Sequence, residues 1–249
     1  MTRIASHRGG TLDYGDSTPF GFRATAALPL EEVEFDLHPS RDGAIMVHHD
    51  ATLDRTTDGS GALAHLTEAD IRAASINYGV DQHPISLKEL CAIYQHSTVS
   101  FRCEFKPDQN GAPYPNFVPK VIEELSRNAM LERTGFSSFL IANLDEIKRH
   151  TSRPCLWLVS PAVQKQLGIS TVVEVAKRHG IPEIGLNIDH ANEALMQQVT
   201  DAGLGFGCWA AHTQTQITKA LSMQVKVFTT DRPNLAIALR NTFIQEAAS

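Results

Sequence analysis

The stretch Val33-Glu34-Phe35-Asp36-Leu37 alternates apolar and acidic residues, which is the pattern of a β-strand. Successive side chains of a strand point to opposite faces, so Glu34 and Asp36 share one face and the apolar residues share the other. Two carboxylates held side by side repel each other, and burying them without a partner costs free energy. The pattern therefore predicts a cation between them, and a divalent metal ion is the simplest candidate.

Apolar strands alternate with helix-like segments along the whole chain. The predicted strands are Ile4–His7, Val33–His38, Val99–Lys106, Phe136–Ile141, Cys155–Val159, Ile184–Ile188, Phe206–Ala210 and Val225–Thr229. The predicted helices are Thr18–Leu28, Leu87–Gln95, Phe117–Met130, Leu144–His150, Thr171–His179, Glu193–Ala202, Thr215–Ser222 and Asn234–Arg240. This α/β alternation predicts a (β/α)₈ TIM barrel. An open doubly wound sheet is the alternative, although no Gly-x-Gly-x-x-Gly fingerprint follows the first strand.

The connection after the second strand is too long for a bare loop between a strand and a helix. It runs from about residue 39 to about residue 86 and includes the polar stretch Asp54–Gly61. We predict one barrel domain over residues 1–249 with a small insertion at about 39–86. Long connections at the carboxyl ends of barrel strands are where such proteins place their active sites.

Composition limits the class of protein. The chain has 42% hydrophobic and 20% charged residues and a formal net charge of -6, as in ordinary globular proteins. Nucleic acid is not an expected partner, because backbone binding needs clustered Lys and Arg. The start of the chain lacks an apolar signal region, and no stretch is apolar enough for membrane insertion. We therefore expect a cytoplasmic protein whose four separated cysteines are buried hydrophobes. The sequence leaves the oligomeric state open.

Three successive strand ends deliver ionisable residues to one mouth of the predicted barrel. The strand ends carry His7-Arg8, Glu34-x-Asp36 and Glu104-x-Lys106. Each of these patterns alone is common at strand edges and in surface ion pairs, but their joint occurrence favours a shared site. Glu34, Asp36 and Glu104 offer only oxygen ligands, which suit a hard cation such as Mg²⁺ or Ca²⁺. His38 shares the face of Glu34 and Asp36, and as a nitrogen ligand it would favour zinc or manganese instead. The alternative for His38 is a place at the rim.

Positive charge and histidines complete the predicted site. Arg8 and Lys106, beside the metal, suit an anion with several oxygens, most naturally a phosphate. His7 ends the first strand, and the pair His48-His49 lies in the insertion. Two histidines on either side of a phosphate would form a general acid/base couple. Strand alternation does not decide whether His48 or His49 faces the pocket.

These residues resemble the glycerophosphodiester phosphodiesterase family, and the resemblance covers nearly the whole chain. The matching segments are His7-Arg8-Gly9, Glu34-Phe35-Asp36, Asp42-Gly43, His49-Asp50, Leu53–Gly61, Glu104-Phe105-Lys106 and Thr230-Asp231-Arg232-Pro233. The resemblance implies a TIM barrel with an insertion after the second strand. It also implies a divalent metal on Glu34, Asp36 and Glu104, an acid/base pair of His7 and His49, and phosphate contacts from Arg8 and Lys106.

One segment departs from the family pattern. Most members carry Pro-Glu-Asn-Thr shortly after His-Arg-Gly, where this chain has Gly15-Asp16-Ser17-Thr18. A shorter acid and a smaller polar residue beside the mouth affect substrate orientation more than the chemistry. Asp16 or Ser17 is expected to cap the helix that follows.

The resulting hypothesis is hydrolysis of a glycerophosphodiester, a small-molecule substrate, to sn-glycerol 3-phosphate and an alcohol. The nucleophile is water or a neighbouring glycerol hydroxyl that forms a cyclic phosphate, and the sequence leaves both open. Trp209, at the end of the seventh strand, either walls the glycerol or alcohol subsite or is ordinary packing. The rivals are another metal-dependent barrel hydrolase, a lyase that releases a cyclic phosphate, and a barrel that binds a phosphorylated ligand without catalysis.

Overall fold

Eight parallel strands close into a barrel in the computed structural model, which describes residues 1–247 and side chains as far as residue 245. The barrel order is β1, β2, β5, β6, β7, β8, β9, β10 and back to β1. This arrangement confirms the predicted TIM barrel. In chain order the strands are β1 (Arg3–His7), β2 (Glu32–Pro39), β3 (Ile45–Val47), β4 (Ile85–Ser86), β5 (Ser100–Phe105), β6 (Thr134–Ser138), β7 (Cys155–Val159), β8 (Glu183–Asn187), β9 (Gly205–Trp209) and β10 (Val227–Thr230).

Helices surround the barrel. They are α1 (Thr11–Tyr14), α2 (Pro19–Ala26), α3 (Glu68–Ala73), α4 (Leu87–Tyr94), α5 (Phe117–Arg127), α6 (Ile141–His150), α7 (Pro161–Arg178), α8 (Glu193–Asp201), α9 (Gln214–Ser222) and α10 (Pro233–Ala247). Within residues 1–247, none of them combines the length and the apolar composition that crossing a membrane requires.

The alternation of side chains predicted for β2 is present, and it determines which residues enter the core and which face the site. Val33, Phe35 and Leu37 are completely buried in the main core between the strands and the helices. The Phe35 ring packs edge-on against Phe101 of β5, with 4.9 Å between the ring centroids. Because the apolar residues face the helices, the alternate residues of β2 and β5 face the barrel interior.

A buried ion cluster fills the end of the barrel interior where the strands begin. Arg102 of β5 donates from Nε to Oε2 of Glu32 at 2.6 Å, and its Nη2 lies 3.8 Å from Oε1 of Glu183. We call these three residues the base cluster. Arg3 and Lys226 pair with its carboxylates from the outside. Arg102 lines a cavity at this end of the barrel and also the cavity at the carboxyl ends of the strands. Its side chain therefore lies between the two cavities.

The insertion lies between the end of β2 at Pro39 and the start of α4 at Leu87. Its strand β3 pairs antiparallel with the end of β2, and β4 pairs with β3. It has a small core of its own, formed by Met46, Leu53, Leu63, Ile71 and Ala74. The backbone N–H of His48 donates to the carbonyl of Asp36 at 3.0 Å, so the insertion is attached next to the acidic pair of β2.

Several element bounds differ from the prediction, and each has a local cause. Helix α7 begins at Pro161 rather than Thr171, because Ser160 caps it and the backbone break at Gly168 (φ 74°) hides its first half from a periodicity search. Strand β6 ends at Ser138, and α6 begins at Ile141 without a side-chain cap. The short helices α1 and α3 were not predicted, and α10 runs on to Ala247.

Candidate active site

A cavity of about 280 Å³ opens at the carboxyl ends of the barrel strands. It brings together nearly all the predicted site residues, namely His7, Arg8, Glu34, His49, Glu104, Lys106 and Trp209. Asp36 lies beside them and is almost completely buried. These residues come from β1, β2, β5, β9 and the insertion, because the carboxyl ends of parallel strands meet at one face of the barrel.

The three predicted metal ligands form one buried group. Glu34, Asp36 and Glu104 each offer a carboxylate oxygen, and these oxygens lie within 4.8 Å of one another. One oxygen of Glu34 and both oxygens of Asp36 are buried without a hydrogen bond. Lys106 Nζ lies 2.7 Å from Oε1 of Glu104 and 3.2 Å from Oδ1 of Asp36, and Arg8 Nε lies 3.3 Å from Oδ2 of Asp36. Three acids therefore share two cations, which leaves room for a further positive charge.

The pKa values of this group reflect the imbalance. Burial raises the pKa of Glu34 well above its usual range, and the nearby Asp36 and Glu104 raise it further. Burial also raises the pKa of Glu104, in spite of Lys106. Burial acts the same way on Asp36, but Lys106 and its other cationic neighbours outweigh it and lower that pKa. A hard divalent cation fits this set of oxygens and would hold all three carboxylates ionised.

The segment that departs from the family pattern positions Arg8. Asp16 accepts a hydrogen bond from Arg8 Nη1 at 2.9 Å, and the Ser17 hydroxyl donates to the other oxygen of Asp16 at 2.9 Å. The residue that caps α2 is Thr18, whose hydroxyl oxygen accepts from the backbone N–H of Gly21 at 2.9 Å. The prediction that Asp16 or Ser17 caps the helix is therefore wrong. Asp16 is used instead to hold the guanidinium.

His7 is held by a carboxylate from the far end of the chain. Its Nδ1–H donates to Oδ1 of Asp231, and its Nε2 lies 3.8 Å from Oε2 of Glu34. Burial acts to raise the pKa of Asp231, but the hydrogen bond from His7 and the neighbouring cationic side chains together outweigh it, and the pKa is lowered. This arrangement fixes the ring orientation and leaves Nε2 on the side of the carboxylate group.

His49 is held in a similar way. Its Nδ1–H donates to Oδ1 of Asp50, and Arg55 Nη2 donates to the same oxygen at 3.1 Å. Burial lowers the pKa of His49, although Asp36 acts in the opposite direction. His48 is buried within the insertion, with its Nε2–H donating to the carbonyl of Thr52 at 3.2 Å. The structure thus places His49, and not His48, at the cavity.

His38 does not join the carboxylate group. Its Nε2–H donates to the carbonyl of His49 at 3.0 Å, and its Nδ1 accepts from the Tyr114 hydroxyl at 2.9 Å. Both ring nitrogens are therefore occupied, and burial lowers its pKa to about 4. The alternative of a nitrogen ligand at this position is wrong. His38 instead supports the backbone that carries His49.

The sequence interpretation missed several residues of the site. Phe139 packs edge-on against Trp209, with 5.5 Å between ring centroids, and the two form an apolar wall of the cavity. Trp209 Nε1 is buried without a hydrogen bond to the protein. His212 also lines the cavity. Asp231 and His212 follow β10 and β9 closely, so the strand-end rule used for the first strands would have found them.

Comparison with known proteins finds similar chains. The family model described as "Glycerophosphoryl diester phosphodiesterase family" matches residues 7–235. A crystal structure from Agrobacterium tumefaciens, assigned as a glycerophosphoryl diester phosphodiesterase, is 62% identical with a TM-score of 0.98 and covers 98% of this chain and 99% of that one.

Two more distant proteins are also similar. A glycerophosphodiester phosphodiesterase of Caldanaerobacter subterraneus subsp. tengcongensis is 26% identical over 151 residues, which span 59% of this chain and 62% of that protein. A phosphodiesterase structure from Oleispira antarctica, in complex with the product sn-glycerol-3-phosphate, is 16% identical with a TM-score of 0.80 and covers 97% of both chains. At that identity the likeness shows the fold alone.

Proposed function

We propose that this chain, which belongs to the glycerophosphoryl diester phosphodiesterase family, uses a divalent cation to hydrolyse glycerophosphodiesters to sn-glycerol 3-phosphate and an alcohol. One observation carries the proposal: three buried carboxylates, two of which have unpartnered oxygens, lie at the same cavity as two histidines that are each held by an aspartate. The product bound to the Oleispira antarctica phosphodiesterase is consistent with a small-molecule substrate of this kind.

Glu34, Asp36 and Glu104 would hold the cation. Their oxygen-only donor set favours Mg²⁺ or Ca²⁺, with Mn²⁺ or Zn²⁺ as alternatives. When bound, such an ion polarises phosphoryl oxygens and stabilises the charge that develops on them. Arg8 and Lys106 would contact the same phosphate from the protein side, because both guanidinium and ammonium groups already point toward the carboxylates.

The two histidines would move the protons. Asp231 and Asp50 each accept from Nδ1–H, so the Nε2 atoms of His7 and His49 are the ones that can exchange a proton with substrate. One of them would take the proton of the nucleophile, and the other would protonate the departing alkoxide. The nucleophile is water or the neighbouring glycerol hydroxyl. Trp209 and Phe139 would wall the organic part of the substrate.

A metal add-back experiment tests the proposal. The protein is stripped with a chelator and assayed against a panel of glycerophosphodiesters, with Mg²⁺, Ca²⁺, Mn²⁺ or Zn²⁺ added in turn. We expect no turnover without metal, and recovery with Mg²⁺ or Ca²⁺ that releases sn-glycerol 3-phosphate. Full activity of the stripped protein would contradict the metal role, and no turnover with any metal would contradict the reaction.

Phosphorus NMR of the products distinguishes the proposed hydrolase from a lyase. A lyase would accumulate a cyclic glycerophosphate, whereas the proposed hydrolase ends at the monoester.

Two further proposals concern the whole protein. Residues 1–249 would act as one domain, because the insertion is bonded to β2 next to Asp36. The protein would be cytoplasmic.

A further inference from the structure

His212 is a cavity residue without a part in the proposed proton transfers. It follows β9 closely and lines the same cavity as His7, with 5.7 Å between the two ring centroids. About a quarter of its side chain is exposed, at 26%. Partial burial of the polar His212 ring costs free energy unless its nitrogens find hydrogen-bond partners.

The backbone determines which nitrogen of His212 carries the proton. The backbone N–H of Asp231 donates to Nδ1 of His212 at 3.0 Å. A backbone N–H can only donate, so Nδ1 must keep its lone pair and the proton of the neutral ring lies on Nε2. Burial lowers the pKa of His212, although Asp231 acts in the opposite direction, and this favours the neutral ring.

The remaining nitrogen of His212 is available to a ligand. Its Nε2–H makes no hydrogen bond to any of the residues 1–247 that the structure describes. A fixed neutral donor in a half-buried cavity is suited to an oxygen acceptor that enters with the substrate.

A metal is a poorer occupant of this place. His7, His212 and Asp231 offer ligand atoms within 4.8 Å of one another, which is compatible with an ion. However, Nδ1–H of His7 is already donated to the Asp231 carboxylate, and Nδ1 of His212 already accepts from the Asp231 backbone. The three residues therefore form a chain of hydrogen bonds in which protons occupy the positions that a metal would take.

We propose that His212 donates its Nε2–H to a hydroxyl of the glycerol moiety and so selects phosphodiesters that carry a polyol. The inference rests on the proposed function. Arg8, Lys106 and the carboxylate group serve the phosphate, and a neutral donor matches a neutral hydroxyl better than a phosphate oxygen. The His212 ring lies 5.7 Å from that of His7, and His212 lines the same cavity as Trp209 and Ala210, which precede it closely in the chain.

Two substitutions distinguish the role of Nδ1 of His212 from that of Nε2. In His212→Asn the amide oxygen lies near the place of Nδ1, so the Asp231 N–H keeps its acceptor while the donor to the ligand is lost. In His212→Gln the amide nitrogen reaches the place of Nε2, so the donor is kept. His150→Asn, at an exposed ion pair with Glu146, is the matched control.

The experiment measures affinity by calorimetry for sn-glycerol 3-phosphate and for propyl phosphate, which lacks the hydroxyls. We expect the preference of the wild type for sn-glycerol 3-phosphate to fall by about threefold to tenfold in His212→Asn, as for the loss of one hydrogen bond. His212→Gln and His150→Asn should retain the preference. The KM for glycerophosphocholine should rise in parallel in His212→Asn.

An equal loss for both ligands in His212→Asn would overturn the inference, because it would show that His212 acts only by supporting Asp231 and His7. An unchanged preference would overturn it as well. Should the wild type turn over no phosphodiester, the proposed function fails, while the two affinities still decide the role of His212. Should both variants unfold, the wild type must still prefer sn-glycerol 3-phosphate to propyl phosphate, and equal affinities would overturn the inference.

Discussion

The two ends of the barrel interior contain the same kinds of side chain in opposite states of balance. In the base cluster, Arg102 lies between Glu32 and Glu183, and further cations pair with these acids from outside. At the mouth, three acids share the two cations Arg8 and Lys106, and several of their oxygens lack a hydrogen bond.

This difference indicates a structural role for the base cluster and a functional role for the carboxylates at the mouth. Burial acts to lower the pKa of Arg102, but Glu32 and Glu183 outweigh it and raise the pKa, so Arg102 stays charged. Each acid of the base cluster also has a second cation beside it, Arg3 for Glu32 and Lys226 for Glu183. At the mouth, burial and like charge raise the pKa of Glu34 instead. An imbalance that the protein does not correct itself is typical of a site completed by a ligand.

The strongest test of the comparison removes one acid from the mouth. Glu104→Gln keeps the shape of the side chain but removes a proposed metal ligand, and we expect kcat/KM to fall by about a thousandfold or more, since metal polarisation is worth several kcal/mol. Metal affinity, measured by calorimetry, should fall with it. The melting temperature of the metal-free protein should not fall, because like-charge repulsion is relieved. Near wild-type activity would remove the metal interpretation.

The second test concerns the two neighbouring histidines of the insertion. We expect His49→Ala to lower kcat by roughly 10²- to 10⁴-fold, as for loss of a general acid or base. His48→Ala should mainly lower the free energy of unfolding, since His48 bonds within the insertion. Steady-state kinetics and urea unfolding of both variants check this. If His48→Ala were the catalytically damaging change, the assignment of His49 to the mouth would be wrong.

The third test breaks the balanced end. In Arg102→Met the buried Glu32 and Glu183 lose their central partner, so we expect the free energy of unfolding to fall by about 3–5 kcal/mol. Replacing all three residues of the base cluster by Met should recover most of that loss, because no buried charge remains. Urea denaturation measures both variants. A single variant as stable as the wild type would contradict a structural role for the cluster.

The smallest expected effect comes from His38, which is buried uncharged beside the mouth. Its pKa is lowered to about 4 by burial, whereas the unfolded chain takes up the proton near the ordinary value. Stability is therefore present at neutral pH and is lost as the pH falls from about 6.5 toward 4, by about 2 kcal/mol at pH 5. Urea unfolding at pH 7 and pH 5 should show a drop smaller by that amount in His38→Gln. Equal drops in both proteins would contradict it.

Much of the barrel and of its first three strand ends could be predicted from the sequence. The period-two alternation in β2 and β5 is a local property, and it correctly assigns Phe35 to the core and Glu34 to the interior. Eight alternating units then imply closure. The predicted ligands and histidines meet at one cavity, while their chemical roles stay predictions.

The rest of the site depends on contacts that no local pattern contains. Asp16 binds Arg8 instead of capping α2, because the backbone turns at Ser17 (φ 56°) and leaves the cap to Thr18. The partners of His38 likewise come from distant segments. Helix starts without a side-chain cap, such as that of α6, carry no sequence signal.

The hydrogen bond between His7 and Asp231 joins residues 224 positions apart, across the seam where β1 pairs with β10. Closing a loop of that length costs entropy, so this contact depends on the pairing of the first and last strands of the barrel. In the proposed mechanism His7 needs this partner for its orientation, so the proposed acid/base pair would be complete only when β1 and β10 are paired. We therefore expect turnover to report on closure of the barrel, and a chain in which β10 has not paired with β1 should be inactive.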